Sequence, residues 1–187
     1  RFIVALAGPP GAGMSFLSEL LCQRLNDRES GVAVVVPMDG YHFDNAVLEP
    51  QGLLPVKGAP ETFDIDSLAQ DLRRIRHADR VVAVPVFDRP LDLARAGGRL
   101  IALEHRIVIV EGNYLLLDRP HWSELRPLFD TTILIDVSDE VLEARLIQRW
   151  LGLGQDTTGA QERTHNKDMH NARLVKRHSV TPDTIWR

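Results

Sequence analysis

The sequence predicts an α/β fold: a largely parallel, five-stranded sheet with helices on both faces, three layers in all. Three observations predict it. Short apolar runs rich in β-branched residues alternate along the 187 residues with stretches of helical periodicity. The runs Val32-Ala33-Val34-Val35-Val36 and Ile107-Val108-Ile109-Val110 are apolar without a break, as strands covered on both faces are. The first run, Phe2-Ile3-Val4-Ala5-Leu6-Ala7, passes through a glycine-rich turn directly into a helical pattern.

Each element follows in order. Gly8-Pro9-Pro10-Gly11-Ala12-Gly13-Met14-Ser15 joins the first strand to a helix marked by Leu17, Leu20, Leu21 and Leu25. The turn fits the phosphate-binding template G-x-x-x-x-G-K-[ST] at Gly8, Gly13 and Ser15, with Met14 where the lysine belongs. Glycines let backbone N–H groups turn toward phosphate oxygens, and the helix start adds partial positive charge. Ser15 stands where Mg²⁺ is held. A thioether carries no charge, so Met14 leaves two readings open: another cation substitutes, or the chain binds nucleotide and turns over poorly.

The second strand, 32–36, ends at Met38-Asp39-Gly40-Tyr41-His42. Ligands of open α/β sheets lie beyond the carboxyl ends of strands, so Asp39 can face whatever the glycine turn holds. It reads either as a proton acceptor or as part of an Asx turn with Gly40. Residues 44–63, with three prolines and two glycines, read as a long loop; the substrate side is assigned to about 40–64. Lys57, one of three lysines, reads as a phosphate contact or, more readily, as a solvated surface residue. Asp64 or Asp66 caps a helix with Leu68, Leu72 and Ile75 on its apolar face. Val81-Val82-Ala83-Val84 reads as a buried strand followed by Arg89, a substrate contact or a surface ion pair, and residues 91–98 as a loop or short helix broken by Gly97-Gly98.

The strand 107–110 closes on Glu111, the acid that accompanies a triphosphate loop and serves Mg²⁺. Tyr114 follows and reads as pocket lining or packing. A short helix is expected within 120–129, a strand at 131–137, and a helix capped by Ser138. Arg145 and Arg149 share one face of that helix and lead into a glycine-rich segment; they read as a lid over about 145–165 or as exposed arginines offsetting the helix dipole. Residues 160–174 read as a polar helix; His165 and His170 lack same-face spacing for zinc. The tail 176–183 is basic and then turn-like, covering the sheet or contacting a base.

Bulk properties narrow the class. A single domain, 1–187, is expected. The net charge of −4 argues against a nucleic-acid partner, and no apolar run approaches the ~20 residues of a membrane span. The lone cysteine, Cys22, excludes an intrachain disulfide, and no signal peptide is recognisable, so a cytoplasmic protein is expected. A GTPase is disfavoured: in Asn166-Lys167-Asp168 the aspartate falls one position early for N-K-x-D.

The glycine turn, Asp39-Gly40-Tyr41, Pro60-Glu61-Thr62-Phe63-Asp64, Glu111-Gly112 and the arginine helix come in an order that resembles the uridine kinase, phosphoribulokinase and pantothenate kinase branch of the P-loop kinases. The closest subgroup it resembles is the bacterial kinases labelled fructose-transport-system or nucleoside kinase-like. The resemblance spans nearly the whole chain. It implies a P-loop NTPase fold with a helical lid and ATP-dependent phosphorylation of a hydroxyl on a sugar or nucleoside-like metabolite. It implies ATP on Gly8, Pro9, Pro10, Gly11, Ala12, Gly13, Met14, Ser15 and Phe16, and Mg²⁺ on Ser15 and Glu111. Asp39 is then the base, and Arg145 and Arg149 are lid cations. Tyr41, His42, Arg89 and Tyr114 are the candidate acceptor contacts. The partner is a small-molecule substrate, with room for a homodimer. The alternative is a nucleotide-binding regulator with little kinase activity, because of Met14.

Overall fold

The computed structural model describes residues 1–187. Five parallel strands form the main sheet: β1 (Phe2–Ala7), β2 (Ala33–Pro37), β5 (Ile107–Gly112), β6 (Thr131–Ile135) and β7 (Thr184–Trp186), in the order β2-β5-β1-β6-β7. Between β2 and β5 the chain leaves this sheet and forms an antiparallel hairpin, β3 (Val82–Asp88) with β4 (Leu93–Ile101). The helices are α1 (Met14–Arg28), α2 (Asn45–Leu48), α3 (Ile65–His77), α4 (Asp139–Gly152), α5 (Thr157–Arg163) and α6 (Met169–His178). A π-helical turn, Thr164–Asp168, joins α5 to α6. No helix is long and apolar enough to cross a membrane.

Period-2 alternation along the central strands builds two apolar layers. Ile3, Ala5, Val34, Val36, Val108 and Val110 face one cluster, which α3 completes with Leu68, Leu72 and Ile75. Leu6, Ala33, Val35 and Ile109 face the other, completed by Met14 and Cys22 of α1 and by Leu142 and Leu146 of α4. On α1 the buried line runs through Met14, Ser18 and Cys22, while Leu20 is exposed. Asp64 caps α3 by accepting from the Ser67 N–H, and Ser138 caps α4 through the Val141 N–H.

Two expectations are corrected. Residues 91–98 are neither loop nor helix but most of β4; Gly97 and Gly98 sit beside the register slip between Val84 and Val86, where a bulge accommodates them. The strand at 81–84 therefore belongs to the hairpin, and the fifth sheet strand is β7 from the tail. Asp183 directs that tail. Its carboxylate accepts from the Thr132 N–H and hydroxyl at 2.8 Å, and its own N–H donates to Thr132 Oγ1 at 2.9 Å. The tail is thereby set in register beside β6.

Candidate active site

Register brings three strand tips to one level. Glu111 of β5 lies between Leu6 of β1 and Pro37 of β2. The glycine turn leaves β1 one residue beyond Leu6, after Ala7. Gly13 there has φ +93°, a left-handed conformation that side chains resist, and it hands the chain to α1 with its carbonyl accepting from the Leu17 N–H at 3.0 Å. Ser15, in the first turn of α1, donates to Glu111 Oε1 at 3.4 Å.

Asp39 lies just beyond β2, on the 3₁₀ turn Met38–Tyr41. That turn presses against β3 so closely that a Cβ on Gly40 would stand 2.4 Å from the Pro85 carbonyl oxygen. The contact brings the end of the hairpin strand to Asp39: Arg89 Nη2 donates to Asp39 Oδ2 at 2.5 Å. His42 Nδ1 meets the Asp39 carbonyl at 2.8 Å, and its ring lies between Phe63 and Phe87 at centroid distances of 4.0 and 4.6 Å. Burial holds this imidazole below its ordinary pKa, so it is neutral near pH 7.

Glu111 is buried, with its pKa pushed up to about 7, first by burial and then by the charge of Asp39. Ser15 and Arg89 oppose the shift. A buried carboxylate whose charge is this poorly compensated is stabilised by a cation. The donor set suits Mg²⁺, a hard ion that takes oxygen ligands: the Ser15 hydroxyl and the Glu111 carboxylate supply two, leaving positions for phosphate oxygens and water.

These groups open on one cavity of about 950 Å³. One wall is Gly11, Gly13, Met14, Ser15 and Phe16. A second is His42, Lys57, Phe87 and Arg89. The third comes from the C-terminal helices, with Arg149, Trp150, Arg163, Lys167 and Asp168. An anion-accepting glycine turn, two carboxylates and several cations around one space provide for moving a phosphoryl group between oxygens.

The expected site residues divide. Pro10, Gly11, Gly13, Met14, Ser15, Phe16, Asp39, His42, Arg89, Glu111 and Arg149 all line the cavity. Gly8, Pro9 and Ala12 are buried behind the turn rather than facing the space. Met14 is 7% exposed and joins the apolar layer with Leu6, Cys22 and Leu146. Arg145 does not line the cavity; its Nη1 reaches the carbonyls of Gly11 at 3.3 Å and Ala12 at 3.4 Å, bracing the turn. Tyr41 and Tyr114, expected as acceptor contacts, are structural. Tyr41 follows Asp39 by two residues in a three-residue turn, so it points elsewhere and donates to Asp71 Oδ2 of α3 at 2.9 Å. Tyr114 is fully buried edge-on to Phe63 and Trp122, and donates to the Gly58 carbonyl at 2.7 Å.

Lys57 is not a solvated surface residue. Its side chain is 9% exposed, and Nζ donates to Asn45 Oδ1 at 2.6 Å, the Asp92 carbonyl at 2.6 Å and Asp92 Oδ2 at 3.1 Å, tying the 44–63 loop to the hairpin turn. Trp150, Lys167 and Asp168 were not expected in the site. Trp150 Nε1 donates to Asp168 Oδ2 at 2.5 Å, and Arg163 stacks on the Trp150 ring at 4.0 Å. No sequence pattern marks Trp150. The Asn166-Lys167-Asp168 run was visible only as an imperfect guanine motif.

No protein-family model matches the chain. Over 99% of its length it is 35% identical to the Schizosaccharomyces pombe protein named "Putative uridine kinase C227.14", covering 82% of that relative. It is 32% identical to pantothenate kinase from Coxiella burnetii over 83% of its length, spanning 51% of that longer protein. Among solved structures, a "putative fructose transport system kinase" from Silicibacter sp. TM1040 superimposes with a TM-score of 0.91 at 44% identity, covering 100% of this chain and 90% of that one. Strand-tip geometry and these likenesses agree, and the chain belongs to the P-loop kinases, in the branch that holds uridine and pantothenate kinases.

Proposed function

We propose that the protein is an ATP- and Mg²⁺-dependent kinase that transfers the γ-phosphoryl group to a hydroxyl of a small metabolite of the sugar or nucleoside kind. The observation that carries this reading is the convergence of Ser15, Glu111 and Asp39 on one cavity, with Arg89 and Arg149 beside them. The glycine turn binds the triphosphate through its N–H groups. Mg²⁺ on Ser15 and Glu111 would neutralise charge on the phosphate oxygens. Asp39 takes the proton of the acceptor hydroxyl once the acceptor draws it away from Arg89; the hydroxyl oxygen bonds to phosphorus as the bond to the bridging oxygen of ADP breaks. Arg149 and the released Arg89 supply the positive charge that Met14 lacks, from the helical and hairpin walls rather than from the glycine turn. ATP as donor accords with a cytoplasmic location, and the name of the 44% identical relative makes fructose the first acceptor to test.

A second reading, a nucleotide-binding regulator, is favoured by Met14 alone. One kinetic experiment separates the two. Asp39→Asn is expected to abolish turnover while preserving ATP binding measured by calorimetry. Met14→Lys, checked for folding by ATP binding, is expected to change kcat by less than about tenfold, because two guanidiniums already serve the phosphates. A gain of about 10²–10³ on introducing lysine would support the regulator instead.

A further inference from the structure

The cations around the cavity are not equivalent. The donors of Lys57 are taken by Asn45 and Asp92, and Arg89 is paired with Asp39. Arg149, Arg163 and Lys167 line the same space with no ion pair to the protein. Arg149 shares Arg163 and Asp168 with Lys167, but it also lies near Arg89 and Asp39 and so reaches the reacting centre. Lys167 does not. Its charged neighbours are Arg163, Asp168, Asp92 and Lys57, none of them on the glycine turn. Its Cε lies 3.9 Å from where a Cβ on Gly58 would stand, against the 44–63 loop.

Asp92 is paired with Lys57, and Asp168, which accepts from the Trp150 indole N–H, is the one carboxylate that Arg149, Arg163 and Lys167 share. Lys167 is therefore half-buried beside Arg163 and Lys57, makes no contact ion pair, and stands where cations outnumber carboxylates. Burial, followed by Arg163, holds its pKa below the ordinary value. It also stands on the π-helical turn Thr164–Asp168, and turns of this kind recur at functional sites. A half-buried ammonium beside a stacked guanidinium, with a single carboxylate shared among three cations, is a place for an anion.

We infer that the phosphoryl acceptor carries an anionic group, a carboxylate or a phosphate, which Lys167 and Arg163 hold while its hydroxyl faces Asp39. The inference deepens the kinase reading and rests on its acceptor site. Calorimetry on the wild-type chain, loaded with Mg²⁺ and a non-hydrolysable ATP analogue, tests it with matched probes: D-fructose against its 6-phosphate, and D-glucose against D-gluconate. At least one anionic probe is expected to bind about tenfold or more tighter than its neutral partner, and the better of the two distinguishes phosphate from carboxylate. Lys167→Met is expected to remove that preference, Lys167→Arg to keep most of it, and neither to change the affinity for the ATP analogue. Equal binding of neutral and anionic probes, or no binding of either, overturns the inference. So does a Lys167→Met effect confined to the ATP analogue, which would assign Lys167 to the triphosphate. If an anionic probe binds through Lys167 but ATP phosphorylates none of the probes, the kinase reading fails while the anion site stands.

Discussion

In the proposed kinase, Glu111 couples stability to metal binding at a single carboxyl. Its folded pKa of about 7 exceeds the ordinary 4.5, so between those values the folded protein holds a proton that the unfolded chain has released. Stability contributed at this residue therefore falls as pH rises from about 4.5 to 7, and the cost is fully present above 7. Glu111→Gln removes that cost, on the order of a few kcal/mol. The variant is expected to melt several degrees higher than the wild type at about pH 8 without ligand, with the difference shrinking toward about pH 5. It should also lose Mg²⁺-dependent nucleotide binding. Thermal melts across pH check the first statement, and a melting gain at alkaline pH no larger than at acid pH would contradict it. Glu111 was legible in the sequence because a strand end dictates its position. Lys57 was not, because its burial depends on Asn45 and Asp92, which are distant in sequence.

At the scale of elements, the tail shows how one buried hydroxyl recruits a strand. Thr132 is fully buried, and both of its hydroxyl bonds go to Asp183. Thr132→Val keeps the volume and removes those bonds, at a cost of about 1–2 kcal/mol. That corresponds to a fall in Tm of about 2–8 °C for a chain of this size. Hydrogen exchange in β7 is expected to accelerate more than in β1; equal acceleration would mean that the clip does not hold the tail. The hairpin β3–β4 was half legible: Val82 and Val84 are apolar, but β4 is largely exposed and carries two glycines, so nothing in its pattern announces a strand. Pairing with β3 overrides the weak local propensity.

For the whole molecule, ligand binding and folding are one equilibrium. The site is assembled from three strand tips, the hairpin and the C-terminal helices, so a bound nucleotide stabilises elements from both ends of the chain. A non-hydrolysable ATP analogue at about 100 times its Kd contributes about 2.7 kcal/mol. The expected gain in Tm is about 5–11 °C with Mg²⁺ present. EDTA should remove most of it, and a gain insensitive to EDTA would exclude the metal from nucleotide binding.

Sequence by itself determined the α/β class, the glycine turn, and the acids at the ends of β2 and β5. Each of these is set by local chemistry: apolar periodicity, the turn that glycine permits, and the abrupt end of a buried run. Only the tertiary structure decided that Tyr41 and Tyr114 turn into the core, that Arg145 braces the glycine turn while Arg149 faces the cavity, and that Lys57 and Lys167 reach the same cavity from two different walls. Those outcomes depend on which distant groups lie within a few ångströms of a side chain, and no spacing along the chain encodes that.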